Sequence, residues 1–114
     1  MKVCDLVNQL GLTVFSGHNG LDNLVSGGYT SDLLSDVMGN IDENQVWITL
    51  QTHKNITAIA SLKDVAAIII VKGYIPGNET IEQSNKESIP ILGTSMQSFE
   101  TSGKLFDLLN NTSE

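Results

Sequence analysis

The sequence predicts an α/β fold: a single compact domain whose mainly parallel sheet is flanked by helices on both faces. Three observations carry that expectation. Apolar segments of strand length alternate with segments of helical periodicity, so strands are joined through helices of about 8–12 residues. Such crossovers are right-handed and favour parallel pairing. The run from Val65 to Val71 is continuously apolar, as expected of a strand covered on both faces. Finally, 40% of the residues are hydrophobic but only 5% aromatic, so the core is built from Leu, Ile and Val. With 114 residues, the chain has the length of one domain over residues 1–114 and can build a core without cross-links.

Each element has its own signal. Val3, Leu6, Val7 and Leu10 mark one face of a helix that Gly11 can end. Leu12 to Phe15 reads as a strand closed by the turn residues Ser16-Gly17-His18-Asn19-Gly20. Leu24-Val25 is expected as a short strand, with Gly27-Gly28 a turn after it. Asp32 to Met38 reads as a short helix stopped by Gly39-Asn40, and Val46 to Leu50 as a strand rich in β-branched and aromatic residues. A helix over Asn55 to Leu62 leads to the buried strand Ala66 to Val71. A polar helix, Thr80 to Glu87, precedes the strand Pro90 to Leu92, and a helix from Ser98 to Leu109 completes the fold. Residues 110–114 are expected to fray.

Composition excludes several classes. The formal net charge is −7, and all six basic residues are widely spaced lysines. No basic patch exists to neutralise phosphates, so nucleic acid is not an expected partner. An anionic membrane surface would repel the chain, and no apolar run approaches a membrane span. Cys4 is the single cysteine, so no internal disulfide forms. There is no room for a signal segment before Asp5, and the sequons at Asn55, Asn78 and Asn111 are then coincidental. The expected location is cytoplasmic.

In open parallel sheets, ligands gather beyond the carboxyl ends of the strands. Here those ends read Ser16-Gly17-His18-Asn19, Gln51-Thr52-His53, Lys72-Gly73-Tyr74 and Gly93-Thr94-Ser95. Helix N-termini following three of them would favour an anionic or polar ligand. Tyr29, Asp36, Thr52, His53, Gly73 and Thr94 are the candidate ligand-binding residues. The run Gly27 to Gly39 is chemically dense, and Gly28, Tyr29, Asp32 and Asp36 are the candidates for docking a partner. Asp32 can cap its helix or serve function, whereas Asp36, expected beyond the first turn, is the better functional candidate. His18 and His53 lack a neighbouring donor at ligand spacing, so neither metal nor other cofactor is expected. No phosphate-cradling loop, dinucleotide fingerprint or nucleophile elbow is present. Catalytic residues are therefore not assigned, and the chain is not expected to be an enzyme.

Several motifs carry a family resemblance. They are Val46 to Leu50, Ala67-Ile68-Ile69-Ile70-Val71-Lys72-Gly73, Ile89-Pro90-Ile91-Leu92-Gly93-Thr94 and Ser98-Phe99-Glu100-Thr101-Ser102-Gly103-Lys104-Leu105. Together they resemble the DRTGG domain and are similar to the N-terminal domain of bacterial HPr kinase/phosphorylase. The family's Asp-Arg turn aligns with Thr52-His53-Lys54, which lacks the acidic–basic pair. Its Thr-Gly-Gly turn aligns with Val71-Lys72-Gly73, which keeps the second glycine. The resemblance implies a regulatory module of the kind that accompanies nucleotide-sensing CBS modules, without the kinase catalytic domain. It also implies a homodimer. The resulting expectation is a non-catalytic module that binds a nucleotide or small polar metabolite at the strand-end loops. The alternative is an assembly module docking on itself or on a partner enzyme, such as a redox or hydrogenase complex.

Overall fold

The computed structural model describes residues 1–111. Helix α1 (Val3–Leu10) precedes strand β1 (Thr13–Ser16), a 3-10 turn (His18–Gly20) and strand β2 (Gly27–Thr30). Helix α2 (Leu34–Asn40), strand β3 (Gln45–Thr49), helix α3 (Asn55–Lys63) and strand β4 (Ala67–Ile70) follow. Helix α4 (Asn78–Glu87), strand β5 (Ile91–Gly93) and helix α5 (Ser98–Asn110) complete the order. Asn110, expected to fray, is instead the last residue of α5; residues 112–114 of the expected frayed tail lie outside the described residues.

The five strands lie in the order β1-β5-β4-β3-β2. Strands β2 to β5 are parallel in sequence order, and β1 pairs antiparallel with β5. Three successive right-handed crossovers in one direction put α2, α3 and α4 on the same face. The alternation of side chains along each strand then divides the core in two. Val46, Ile48, Ala67, Ile69 and Leu92 pack with Val3 and Leu6 of α1 and Leu105 of α5. Trp47, Ile68, Ile70 and Ile91 pack with Val37, Ile56, Ile59 and Ala60 under α2 and α3. Both faces of β3 and β4 are thus buried, which is why their sequence lacks polar alternation.

The antiparallel β1 follows from the path of the chain after it. Gly17, at φ +72°, lies against the carbonyl of Ile89, and its N–H donates to Asn85 Oδ1 at 2.7 Å. Asn23 Nδ2 donates to the Ala66 carbonyl, and Ser26 N to the Asn44 carbonyl at 2.9 Å. Residues 17–26 therefore pass the amino ends of β5, β4 and β3 in turn and enter the sheet again at its far edge. The Ser16-Gly17-His18-Asn19 turn consequently lies at the amino edge, not beside the other strand ends. Residue Leu24 makes only an isolated bridge with Lys2. Gly27-Gly28 is no turn: it belongs to β2, parallel to β3. A Cβ on Gly28 would sit 2.8 Å from Leu105 Cδ2, so the missing side chain permits close approach of α5.

Candidate functional site

The carboxyl edge of the parallel strands is assembled by side-chain bonds from one loop to the next. Asp32 follows β2, and its Oδ1 accepts both the Thr49 hydroxyl and the Leu50 N–H at 2.8 Å. Gln51 Nε2 donates to the Asp32 carbonyl at 2.9 Å, and Trp47 Nε1 donates to the Ser31 carbonyl at 2.8 Å. Thr49 and Trp47 are fully buried, so both donors need these acceptors. Asp32 does not cap α2. Leu33 holds the cap position, and the Leu33 N–H donates to the Ser31 hydroxyl at 3.2 Å. Through these bonds Asp32 clamps β2 to β3.

Asp36 lies in the first turn of α2, not beyond it. Tyr29 Oη donates to Asp36 Oδ2 at 2.8 Å, and Asn40 Nδ2 donates to the Asp36 carbonyl and Oδ1. The Tyr29 hydrogen bond, and after it one from Ser31, lowers the Asp36 carboxyl below its ordinary range; desolvation opposes this and Asn40 assists it. The Tyr29 hydroxyl is raised, first by the same hydrogen bond and then by desolvation and the Asp36 charge. The two residues are each other's hydrogen-bond partners.

Beyond β4 the chain turns to the α4 face, and beyond β5 it turns to the opposite, α5 face. Their ends form the crevice where such sheets commonly take ligands. Gly73 and Thr94 meet here, and two backbone bonds close the loops on each other. Gly73 N donates to the Thr94 carbonyl, and Lys72 N to the Met96 carbonyl, both at 2.9 Å. Lys72 and Gly73 are both left-handed, at φ 63° and 73°. The Thr94 hydroxyl accepts the Met96 N–H at 3.2 Å, so that side chain holds its own loop.

A cavity of about 460 Å³ opens beside this crevice, between the β3–α3 and β4–α4 loops. Thr52, His53, Lys54, Asn55, Asn78 and Glu79 line it. The Thr52 carbonyl accepts the Thr80 hydroxyl at 2.8 Å and the Gly77 N–H at 3.2 Å. These two bonds bring the N-termini of α3 and α4 together at one opening. At α3 the Ile56 and Thr57 N–H groups already bond to the His53 and Lys54 carbonyls at 3.1 and 3.0 Å, so the backbone donors come mainly from the α4 terminus, while both termini present the positive end of a helix dipole. Lys54 Nζ stands 4.0 Å from Glu79 across the two helices, with both side chains mainly exposed. Such an exposed pair is weak and easily opened.

Of the six expected ligand residues, Thr52 and His53 share this cavity, Gly73 and Thr94 form the closed crevice beside it, and Tyr29 and Asp36 pair with each other under α2. Sequence reasoning missed Lys54, Asn78, Glu79 and Thr80. The signal was Gly77-Asn78, a helix start two residues earlier than the one expected at Thr80. Among the described residues no three His, Cys, Asp or Glu side chains are grouped to hold a metal. No helix among them is long and apolar enough to cross a membrane.

Comparison with known proteins agrees with this architecture. The fold is similar to a crystal structure of the CBS and DRTGG domains from the regulatory region of Clostridium perfringens pyrophosphatase, complexed with the activator diadenosine tetraphosphate. The two superpose with a TM-score of 0.74 at 18% identity, over 91% of this chain and 45% of that one. The chain thus spans less than half of that regulatory region. No curated protein matches it. The similarity to HPr kinase/phosphorylase rests on the sequence motifs alone. The DRTGG domain model matches residues 5–108, nearly the whole of the fold just described, and the chain belongs to the DRTGG domain family.

Proposed function

We propose that this chain is a regulatory, non-catalytic module that binds a small anionic ligand of nucleotide type at its strand-end loops. The convergence of the α3 and α4 N-termini on one cavity, with His53 and Lys54 at its rim, carries the reading. A phosphate group there meets N–H donors and two positive dipole ends without needing a basic patch elsewhere on the chain. Glu79 is the resident anion at that position, and a ligand phosphate takes its place beside Lys54. Gly73 and Thr94 hold the neighbouring crevice in shape, and Tyr29 and Asp36 fix the next loop. The pyrophosphatase regulatory region supports the class of ligand, since it was captured with a nucleotide activator.

A panel of nucleoside mono-, di- and triphosphates, dinucleotides and inorganic pyrophosphate tests this by thermal shift. A ligand that binds only the native state raises its stability. The expected result is a concentration-dependent rise with at least one compound, abolished by His53→Ala with Lys54→Ala. A flat response across the panel removes the reading.

The alternative, a module that docks on a partner enzyme or on itself, is favoured by a different surface. Gly28, one of the expected docking residues, lines a groove beside α5, whereas Tyr29, Asp32 and Asp36 are engaged with their own fold. Under that reading Phe99→Ser and Phe106→Ser, on the α5 wall of that groove, abolish co-purification with a partner while the fold persists; unchanged co-purification contradicts it.

A further inference from the structure

The two edges of the sheet are finished differently. Strand β1 carries a break in register between Val14 and Ser16, and such a bulge blunts an edge against further pairing. Strand β2, at the other edge, keeps an unbroken register with β3 from Gly27 to Thr30 and contains neither lysine nor proline. It has a neighbour on one side only, so its outward N–H and C=O groups form a template for one more strand.

Helix α5 overhangs that template. It runs opposite to β2, with the Ser102 hydroxyl 2.7 Å from that of Thr30 and Leu105 lying against Gly28. The outer stripe of the helix has no strand beneath it: Phe99 is 92% exposed and Phe106 72%. A groove of about 650 Å³ separates this stripe from Gly27 and Gly28, and none of the residues lining it is charged. An unpaired backbone edge and an apolar overhang fit one occupant, an added strand. Its backbone takes up the ladder, and every second side chain enters the groove. A helix laid in the same place would cover the phenylalanines and leave the edge unpaired.

Charge specifies the rest. One residue after each phenylalanine stands an exposed carboxylate, Glu100 and Asp107, and Lys104 lies farther round the helix. Neither carboxylate is in an ion pair among the described residues. On the other face of the sheet, Tyr29 of β2 holds Asp36 at 2.8 Å. The edge is therefore flanked by acid on both faces, in a chain of net charge −7. We propose that β2 accepts an extended segment of a different protein as an added strand, with apolar residues toward α5 alternating with lysine or arginine. This chemistry builds on the docking reading above and names the kind of partner it needs. A second copy of this acidic chain meets like charge along the same edge and is repelled.

Short synthetic peptides titrated into the ¹⁵N-labelled full chain test it. The probes are an alternating valine–lysine peptide, its valine–glutamate counterpart, and two forms of the first carrying N-methyl groups on either the valine or the lysine nitrogens. The valine–lysine peptide is expected to move the amides of β2 together with Phe99, Ser102 and Phe106. The glutamate peptide should bind at least about tenfold more weakly. The two methylated forms should differ by at least about tenfold, the worth of one or two ladder bonds, because only one set of nitrogens faces β2. Phe99→Ser with Phe106→Ser should remove binding without changing the fold, since both side chains are exposed. Absent binding, amide movement confined to other regions, glutamate and lysine peptides of equal affinity, or methylated forms that bind alike each overturn the proposal. So does movement of the β2 amides with chain concentration alone, which would mark pairing with a second copy. Should the peptides fail while the double serine variant still loses a co-purifying partner, docking itself stands and the added strand falls.

Discussion

The Thr80 hydroxyl, on the first turn of α4, donates to the Thr52 carbonyl at 2.8 Å, and that bond ties the starts of two helices to one opening. Thr80 is 1% exposed, so no water replaces the lost donor readily. Thr80→Val keeps the shape and removes the bond. The expected loss is about 1 kcal/mol in chemical denaturation, accompanied by weaker binding of any anion at the cavity. A variant of unchanged stability and unchanged binding contradicts the role given to this residue.

In the proposed binding mode, Glu79 occupies the place of a ligand phosphate beside Lys54. Its removal frees the lysine and the α4 N-terminus for that phosphate. Glu79→Gln is expected to raise the affinity for pyrophosphate or a nucleotide roughly two- to fivefold, the scale of a helix-end charge at an exposed site. Titration calorimetry checks this, and reduced affinity would place the ligand elsewhere.

The Tyr29–Asp36 pair predicts a pH dependence with two limits. Asp36 has a lowered carboxyl pKa in the folded chain, so its contribution is present above the unfolded value and lost as pH falls through the folded one. Tyr29 has a raised pKa, so its contribution is present below the ordinary tyrosine range and lost as pH rises through the folded value. The pair thus holds between those limits. In a carbon-detected NMR titration, Asp36 is expected to titrate below the ordinary aspartate range. Tyr29→Phe should move it upward, because the largest cause of the shift is gone. No movement in that variant would leave the hydrogen bond without electrostatic effect.

Asp32 and Asp36 are predicted to separate in stability. Asp32→Ala deprives the buried Thr49 hydroxyl of its acceptor and costs about 1–3 kcal/mol. Asp32→Asn retains an acceptor oxygen and loses less. Thermal and urea melts compare the two, and equal losses would mean that charge, not hydrogen bonding, holds the clamp.

Gly17 and Gly73 share a left-handed conformation but differ in surroundings. A Cβ on Gly17 collides with the Ile89 backbone, whereas one on Gly73 meets nothing within 4 Å. Gly17→Ala is expected to cost about 2–4 kcal/mol, from strain and overlap together. Gly73→Ala carries only the backbone cost, about 1–2 kcal/mol. Denaturant midpoints measure both.

These contrasts show which features local sequence could disclose. Ala67 to Ile70 was legible as a strand because both its faces are buried, and α1 was legible because Val3 and Leu6 repeat on one side with Gly11 behind them. The direction of β1 was not, since it depends on residues 17–26 passing the starts of three other strands. β2 was misplaced because Gly-Gly ordinarily signals a turn, while here the pair leaves room for Leu105. At the site, Thr52 and His53 were visible as a strand end. Their opposite wall was not, because the Thr52–Thr80 bond spans 28 residues and no local pattern records it. Asp32 resembled a helix cap for the same reason: its partners, Thr49 and Leu50, lie on another strand.

The central claim is that the joined N-termini of α3 and α4 receive an anionic ligand. Amide chemical shifts of the ¹⁵N-labelled chain, followed during titration with pyrophosphate and with the nucleotide giving the largest thermal shift, test it most directly. Saturable movement centred on His53, Lys54, Asn55, Asn78 and Glu79, lost in the variant combining His53→Ala and Lys54→Ala, is the predicted result. Shifts that are absent, or that centre on the α5 groove and leave these five amides in place, would contradict it.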